Sequence, residues 1–139
     1  METQYKEFQS VSFASSIDNL NLAESLVDDV CSECNINEDH YGNILIAVTE
    51  AVNNAIKHGN GNTPSKKVTI QVQESEKDIQ IKVNDEGNGF DYNNLPDPTA
   101  PENIEKESGR GIFLMKSLAD DVTFENSGAQ VILSFKHSR

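Results

Sequence analysis

In the first quarter of the chain, apolar residues recur every three or four positions. This spacing predicts an amphipathic helix over about 17–34. Ser15-Ser16-Ile17-Asp18 precedes it as a capping box, with Asp in the position usually held by Glu. The apolar positions that carry the pattern are Leu20, Ala23, Val27, Val30 and Cys34.

The next segment predicts a second helix, running from a cap at Asn37 to a C′ residue at Gly59. Glu50, Asn54 and His58 follow one another at intervals of four, so they form one polar stripe opposite the apolar face. Most polar stripes are solvated helix faces. The stripe alone therefore does not identify a site.

Strict alternation of apolar and polar residues predicts strands at 68–72 and 79–83. The short polar link Ser75-Glu76-Lys77 predicts a hairpin between them. Weaker alternation and a last hairpin predict further strands at 5–13, 122–125 and 131–135. Because each strand has one apolar face, the sheet is expected to be covered by helices on one side.

A glycine-rich turn at 84–91 leaves the second of these strands. Residues 92–108 contain three prolines among polar side chains and predict an irregular, mobile segment. Gly109-Arg110-Gly111 then opens a third amphipathic helix. The predicted fold class is an α/β two-layer sandwich, with a mixed, mostly antiparallel sheet covered on one face by about three helices. We expect residues 1–139 to form a single domain.

Charge and composition narrow the range of partners, locations and cysteine chemistry to be expected. The 139 residues carry a formal net charge of -12, which disfavours nucleic acid and anionic membrane as partners. No apolar run approaches the length of a membrane span and no leader is evident, so a cytoplasmic protein is expected. Cys31 and Cys34 lack two further zinc ligands and are expected to be reduced structural cysteines, with redox sensing as a minor alternative.

Several common nucleotide and metal motifs are absent. The sequence has no P-loop, and Tyr92 stands where a Rossmann fingerprint needs its third glycine. Gly87 and Gly89 occupy ligand positions of an EF-hand loop, which excludes that site. The three histidines have no metal-site spacing.

Two glycine-containing segments carry candidate chemistry. In Asp85-x-Gly87-x-Gly89, a carboxylate at a strand end can accept a hydrogen bond from an exocyclic amine, and the glycines let a flat ring approach the backbone. The 109–111 segment opens a helix whose free N–H groups and dipole attract phosphate. Each motif alone also fits an ordinary glycine-rich turn.

The order of these pieces is more specific than any one of them. A helix with E-x-x-x-N, a strand ending in D-x-G-x-G, a mobile segment and a G-x-G helix start resemble the GHKL ATP-binding superfamily. The resemblance covers about residues 15–136. A histidine kinase would need a phosphoacceptor helix upstream. In a solitary domain of this size, the run from Glu50 to Gly59 and the run from Gly109 to Met115 resemble the bacterial anti-sigma-factor serine/threonine kinases.

This resemblance implies roles for the candidate residues. Asn54 would hold Mg²⁺ through its amide oxygen, and Glu50 would take the proton from the attacking hydroxyl. Asp85 would accept from the adenine amino group, with Gly87 and Gly89 lining the base.

Other residues would lie near the phosphates of ATP. Gly109, Arg110 and Gly111 are expected there, whereas Lys57 and His58 either approach phosphate or favour the helix C-terminus. Residues 92–108 would form a lid over the nucleotide.

The resemblance also implies partners and a reaction. Such proteins bind a sigma factor and phosphorylate a STAS-domain anti-anti-sigma protein, and a homodimer is common among them. One departure from the superfamily is Gly128-Ala129-Gln130, which lacks a hydroxyl often found near the final strand. The alternatives are a non-catalytic, ATP-responsive protein that sequesters a partner and, more weakly, an acidic interaction domain with a decayed pocket.

Overall fold

The computed structural model describes residues 5–34, 36, 38–61, 63–87, 107–125 and 129–136. These ranges contain five strands and three α-helices. In chain order they are β1 (Lys6–Ala14), α1 (Leu20–Glu33), α2 (Glu38–Asn54), β2 (Lys67–Glu74), β3 (Asp78–Asn84), α3 (Glu107–Leu118), β4 (Asp121–Glu125) and β5 (Gln130–Lys136). A 3-10 turn (Ile17–Asn19) precedes α1, and a π turn (Ala55–Gly59) continues α2.

The strands form one sheet in the order β1-β2-β3-β5-β4. Every pairing among the described strands is antiparallel, and the predicted fold class is confirmed. The hairpin between β2 and β3 is closed by Ser75, whose Oγ accepts from the backbone N–H groups of Lys77 and Asp78 at 3.1 and 3.2 Å.

The core lies between the helices and one face of this sheet. Alternate residues of β2 and β3 are buried, because successive side chains of a strand point to opposite faces. Helix α2 covers this apolar face, and its Ala47, Val48, Ala51 and Val52 are all buried. The sheet therefore holds the end of β3 beneath the C-terminal end of α2.

The first helical boundary differs from the prediction. Ser16, rather than Ser15, caps the 3-10 turn by accepting from Asp18 N–H at 3.3 Å. Ser15 is buried, and its hydroxyl accepts a hydrogen bond from Asn60 Nδ2. The predicted cap at Asn37 lies outside the described residues.

Two further boundaries were predicted wrongly. Gly59 is not a left-handed C′ residue, because the π turn extends through it and the positive φ, 59°, belongs to Gly61. Helix α3 begins at Glu107 rather than Gly109, consistent with the preference for an acidic residue in a first helical turn. Of the predicted lid, residues 92–106 lie outside the described ranges. The lid and the single-domain extent over 1–139 stay predictions.

No helix in the described part of the chain is long and apolar enough to cross a membrane. Cys31, in α1, and Cys34, just after its last residue, are both free thiols. The pKa of Cys34 is raised to about 12, mainly by burial and then by its hydrogen bond to the Glu74 carboxylate. Burial also raises the pKa of Cys31. Because the thiolate is the reactive form, both cysteines are poorly suited to redox chemistry.

We predict that Cys34 remains a thiol in the folded protein until pH approaches about 12. An unfolded thiol ionises near its ordinary pKa, so over this range the folded state keeps a proton that the unfolded state loses. The free energy of unfolding therefore falls as pH rises from the ordinary pKa of a thiol to the raised pKa of Cys34. Thiolate absorbance of the Cys31→Ala variant during an alkaline titration measures this directly. Ionisation of native Cys34 at the pKa of an unfolded thiol would contradict the account.

Candidate active site

The C-terminal half of α2 carries the first two candidate residues. Ala51 and Val52 face the core, which leaves Glu50 partly exposed and turns Asn54 into the protein. Asn54 is only 7% exposed, and its Nδ2 has no hydrogen-bond partner among the described residues. An unsatisfied buried donor costs about 1–3 kcal/mol. A bound group with an acceptor atom would remove that cost.

Helix α3 brings Gly111 against the same two side chains. A Cβ added at Gly111 would lie 3.0 Å from Glu50 Oε2 and 3.2 Å from Asn54 Nδ2. The carboxylate and the amide are therefore neighbours, and they meet the N-terminal half of α3. The structure thus brings two residues of the predicted stripe, Glu50 and Asn54, together with Gly111 of the predicted Gly109-Arg110-Gly111 segment.

Asp85 follows β3 and begins a turn in which three successive backbone N–H groups are hydrogen-bonded. Asp85 N–H donates to Ala129 O at 2.9 Å, Glu86 N–H to Asn60 Oδ1 at 2.8 Å, and Gly87 N–H to Asp85 Oδ1 at 2.8 Å. The turn is consequently fixed on both sides. Oδ2 of Asp85 keeps its capacity to accept from a ligand.

The environment of Asp85 is partly dehydrated. Burial raises the pKa of its carboxyl, and the Gly87 N–H and the charge of Lys66 offset part of that rise. A carboxylate that is dehydrated without a full set of donors is a frequent property of functional sites.

Two glycines make this arrangement sterically possible. A Cβ at Gly59 would lie 2.2 Å from Asp85 Oδ2, and one at Gly87 would lie 1.7 Å from Gly59 O. Neither glycine has a positive φ, so the requirement is for space rather than for an unusual backbone conformation. A role at the site was predicted for Gly87, whereas Gly59 was predicted only to end the helix.

A recess separates Asp85 from Asn54. The side chains between these polar groups are mainly apolar, which is the type of lining that an aromatic ring contacts. In the ligand-free structure the recess has a volume of about 10 Å³, the room of about one water molecule, so it has to widen to admit a ring. Its lining residues are Ala51, Asn54, Ala55, Val83, Asp85, Met115, Phe124 and Val131.

The remaining predicted residues are described only in part. Lys57 is partly buried and has an interaction partner, and Gly109 and Arg110 lie in the first turn of α3. The side chains of His58 and Arg110, and the whole of Gly89, lie outside the described residues. Within those residues, no group of three or more His, Cys, Asp or Glu side chains is placed to hold a metal.

Asn60 is buried and hydrogen-bonded to the turn that contains Asp85, although no pattern in the sequence predicted a role for it. It follows Gly59 in a polar loop, and it has no periodicity or recognised motif. The only available signal was an asparagine immediately beyond the candidate helix.

The histidine kinase-like ATPase domain family matches residues 13–135. This chain belongs to that family. Serine-protein kinase RsbW of Staphylococcus aureus, in strains JH9 and Newman, is 30% identical over 139 residues, covering 93% of this chain and 86% of the relative. The predicted resemblance is confirmed at the level of the family.

A solved structure of the RsbU and RsbW domains of Rv1364c from Mycobacterium tuberculosis shares the fold, with a TM-score of 0.68 and 13% identity. The match covers 94% of this chain and 32% of the other, so this ATPase domain spans about a third of that longer chain.

We predict that Gly59→Ala weakens ATP binding at least about tenfold, because the new Cβ forces the Asp85 carboxylate out of its position. Calorimetric titration with ATP measures the effect. Gly42→Ala is the matched control, since Gly42 lies in α2 with nothing within 4 Å of its added Cβ. That control should gain about 0.5–1 kcal/mol of stability and bind ATP normally. Equal ATP affinity in both variants would contradict the steric role of Gly59.

Proposed function

We propose that this protein is an ATP-dependent serine/threonine protein kinase. It phosphorylates a STAS-domain anti-anti-sigma protein and binds a sigma factor or a similar regulator in the cytoplasm, as a homodimer. The observation that carries the proposal is the buried Nδ2 of Asn54, which has no hydrogen-bond partner among the described residues and lies beside Glu50, with the Asp85 carboxylate across an apolar recess. The family and the RsbW relatives support it.

The recess sets the orientation of the nucleotide. Asp85 Oδ2 accepts from the adenine amino group, and the apolar wall between Asp85 and Asn54 contacts the ring. Gly87 lies along the base, where a side chain would separate it from the backbone, and the same role is proposed for Gly89 on the sequence motif alone. The phosphates then extend toward Asn54 and the start of α3.

The phosphate end needs local positive charge, because the chain has a net charge of -12. Asn54 Nδ2 donates to a phosphate oxygen, and its Oδ1 is the type of hard ligand that Mg²⁺ accepts. When bound, Mg²⁺ neutralises charge on the phosphates. Gly109 and Arg110, in the first turn of α3, lie where free N–H groups and the helix dipole attract phosphate, and Gly111 follows beside Asn54. Lys57 and His58 are the further candidates for contact with phosphate.

Glu50 acts as the general base. Its carboxylate accepts the proton of the serine or threonine hydroxyl while the hydroxyl oxygen bonds to the γ-phosphorus and the bond from that phosphorus to ADP breaks. The contact of Gly111 with both Glu50 and Asn54 keeps the base beside the group that holds the phosphates.

We predict that Glu50→Gln lowers phosphoryl transfer at least about 100-fold while ATP binding stays within about twofold. The measurement is transfer of labelled γ-phosphate to a STAS-domain protein, together with calorimetry. Glu38→Gln, at the exposed start of α2, is the control and should retain full transfer.

Two results would refute parts of this proposal. Unmutated protein that binds ATP but never phosphorylates a STAS-domain substrate is a non-catalytic, ATP-responsive binding protein. Unmutated protein that binds no Mg-ATP has a decayed pocket.

We predict that Asp85→Asn melts at a higher temperature than the unmutated, ligand-free protein near neutral pH. Burial raises the pKa of Asp85, so its folded-state ionisation costs stability as pH rises through the shifted range, and a neutral amide avoids that cost. The gain should vanish at pH of about 3, where both side chains are neutral. The same variant should lose most of its preference for ATP over GTP. Unchanged nucleotide preference would contradict the adenine role.

A further inference from the structure

Asn60 joins three segments that are distant in sequence. It is 2% exposed, and its Nδ2 donates to Ser15 Oγ at 2.5 Å and to Lys67 O at 3.0 Å. Its Oδ1 accepts from Glu86 N–H at 2.8 Å. The amide therefore links the end of β1, the start of β2 and the turn that follows β3.

The backbone of Asn60 is also fixed. Its N–H donates to Ala55 O at 2.8 Å, the five-residue spacing of a π turn, and its carbonyl accepts from Thr63 N–H at 3.1 Å. π turns are rare in proteins, and those that do occur are often found at functional sites. Here the wider turn ends α2 with Gly59 against Asp85 and with Asn60 directed toward Glu86.

A third hydrogen bond closes the group. Lys67 N–H donates to Glu86 Oε2 at 2.6 Å, so Asn60, Lys67 and Glu86 are each bonded to the other two. Glu86 is thus held through both its backbone and its side chain. It lies between Asp85 and Gly87, the two residues that approach Gly59.

We infer that Asn60 is a positioning residue for adenine recognition. By accepting a hydrogen bond from Glu86 N–H, it fixes the position of the Asp85 carboxylate above the end of α2. The inference rests on the proposed function, in which Asp85 accepts from the adenine amino group. A purely structural Asn60 would affect the stability of the fold and leave nucleotide preference unchanged.

Ser15 provides a matched comparison for this distinction. Ser15→Ala removes the acceptor of one Asn60 N–H and leaves the bond to Glu86 in place, whereas Asn60→Ala removes both. Each variant removes buried hydrogen bonding and should melt at a lower temperature. Only Asn60→Ala frees the turn that carries Asp85.

The test is calorimetric titration of both variants and the unmutated protein with ATP and with GTP, both with Mg²⁺. Asn60→Ala should lose ATP affinity about tenfold with GTP affinity within about twofold, so that its ATP preference falls about tenfold. Ser15→Ala should keep both affinities within about twofold. Asn60→Asp retains an acceptor for Glu86 N–H and should recover most of the ATP preference despite a lower melting temperature.

Amide hydrogen exchange in the unmutated, ligand-free protein is a readout that needs no variant to fold. Glu86 N–H should exchange as slowly as amides of β3, and rapid exchange typical of an open loop would overturn the inference. An unchanged ATP preference in Asn60→Ala would overturn the positioning role of Asn60 and leave the proposed role of Asp85 intact. Absence of ATP preference in the unmutated protein would overturn the role of Asp85 and this inference with it.

Discussion

The contact between the end of α2 and the turn after β3 is the constraint on which the candidate site depends. Gly59 and Asp85 are so close that one added carbon at Gly59 would overlap the carboxylate, and a carbon added at Gly87 would overlap the Gly59 carbonyl. Because Asn54 lies shortly before Gly59 on the same helical segment, this contact also sets the separation between the acidic and the amide ends of the recess.

The two ends of the recess differ in their chemistry. At one end, burial raises the pKa of Asp85, and its hydrogen bond from Gly87 leaves a second carboxylate oxygen for a ligand. At the other end, beside Glu50, Asn54 offers a buried Nδ2 that has no hydrogen-bond partner in the described part of the chain. An apolar ring with an amino group at one side and a polar chain at the other matches this asymmetry. The costs of dehydrating Asp85 and leaving Asn54 unpaired fall on the ligand-free protein.

Periodicity was sufficient to predict most of the fold from the sequence. The alternation at Val68–Val72 and Ile79–Val83 reports burial directly, and those strands are present with slightly wider bounds. The spacing of Glu50 and Asn54 likewise places them on one side of α2, where Gly111 meets both. These features depend on residues that are near one another in sequence.

The features that were not predicted depend on contacts between distant segments. The need for glycine at position 59 is visible only when Asp85 is known to lie against it, and Asn60 becomes significant only through Ser15 and Glu86. The π turn is a local feature, and it includes the backbone hydrogen bond from Asn60 N–H to Ala55 O, but local propensity gives no signal for it.

The most direct test of the account is a crystal structure of the protein with Mg²⁺ and a non-hydrolysable ATP analogue. We expect the adenine amino group within hydrogen-bonding distance of Asp85 Oδ2, and the phosphates beside Asn54 with Glu50 facing the γ-phosphate. A base bound elsewhere, or an Asn54 amide that contacts neither phosphate nor metal in the complex, would contradict the account.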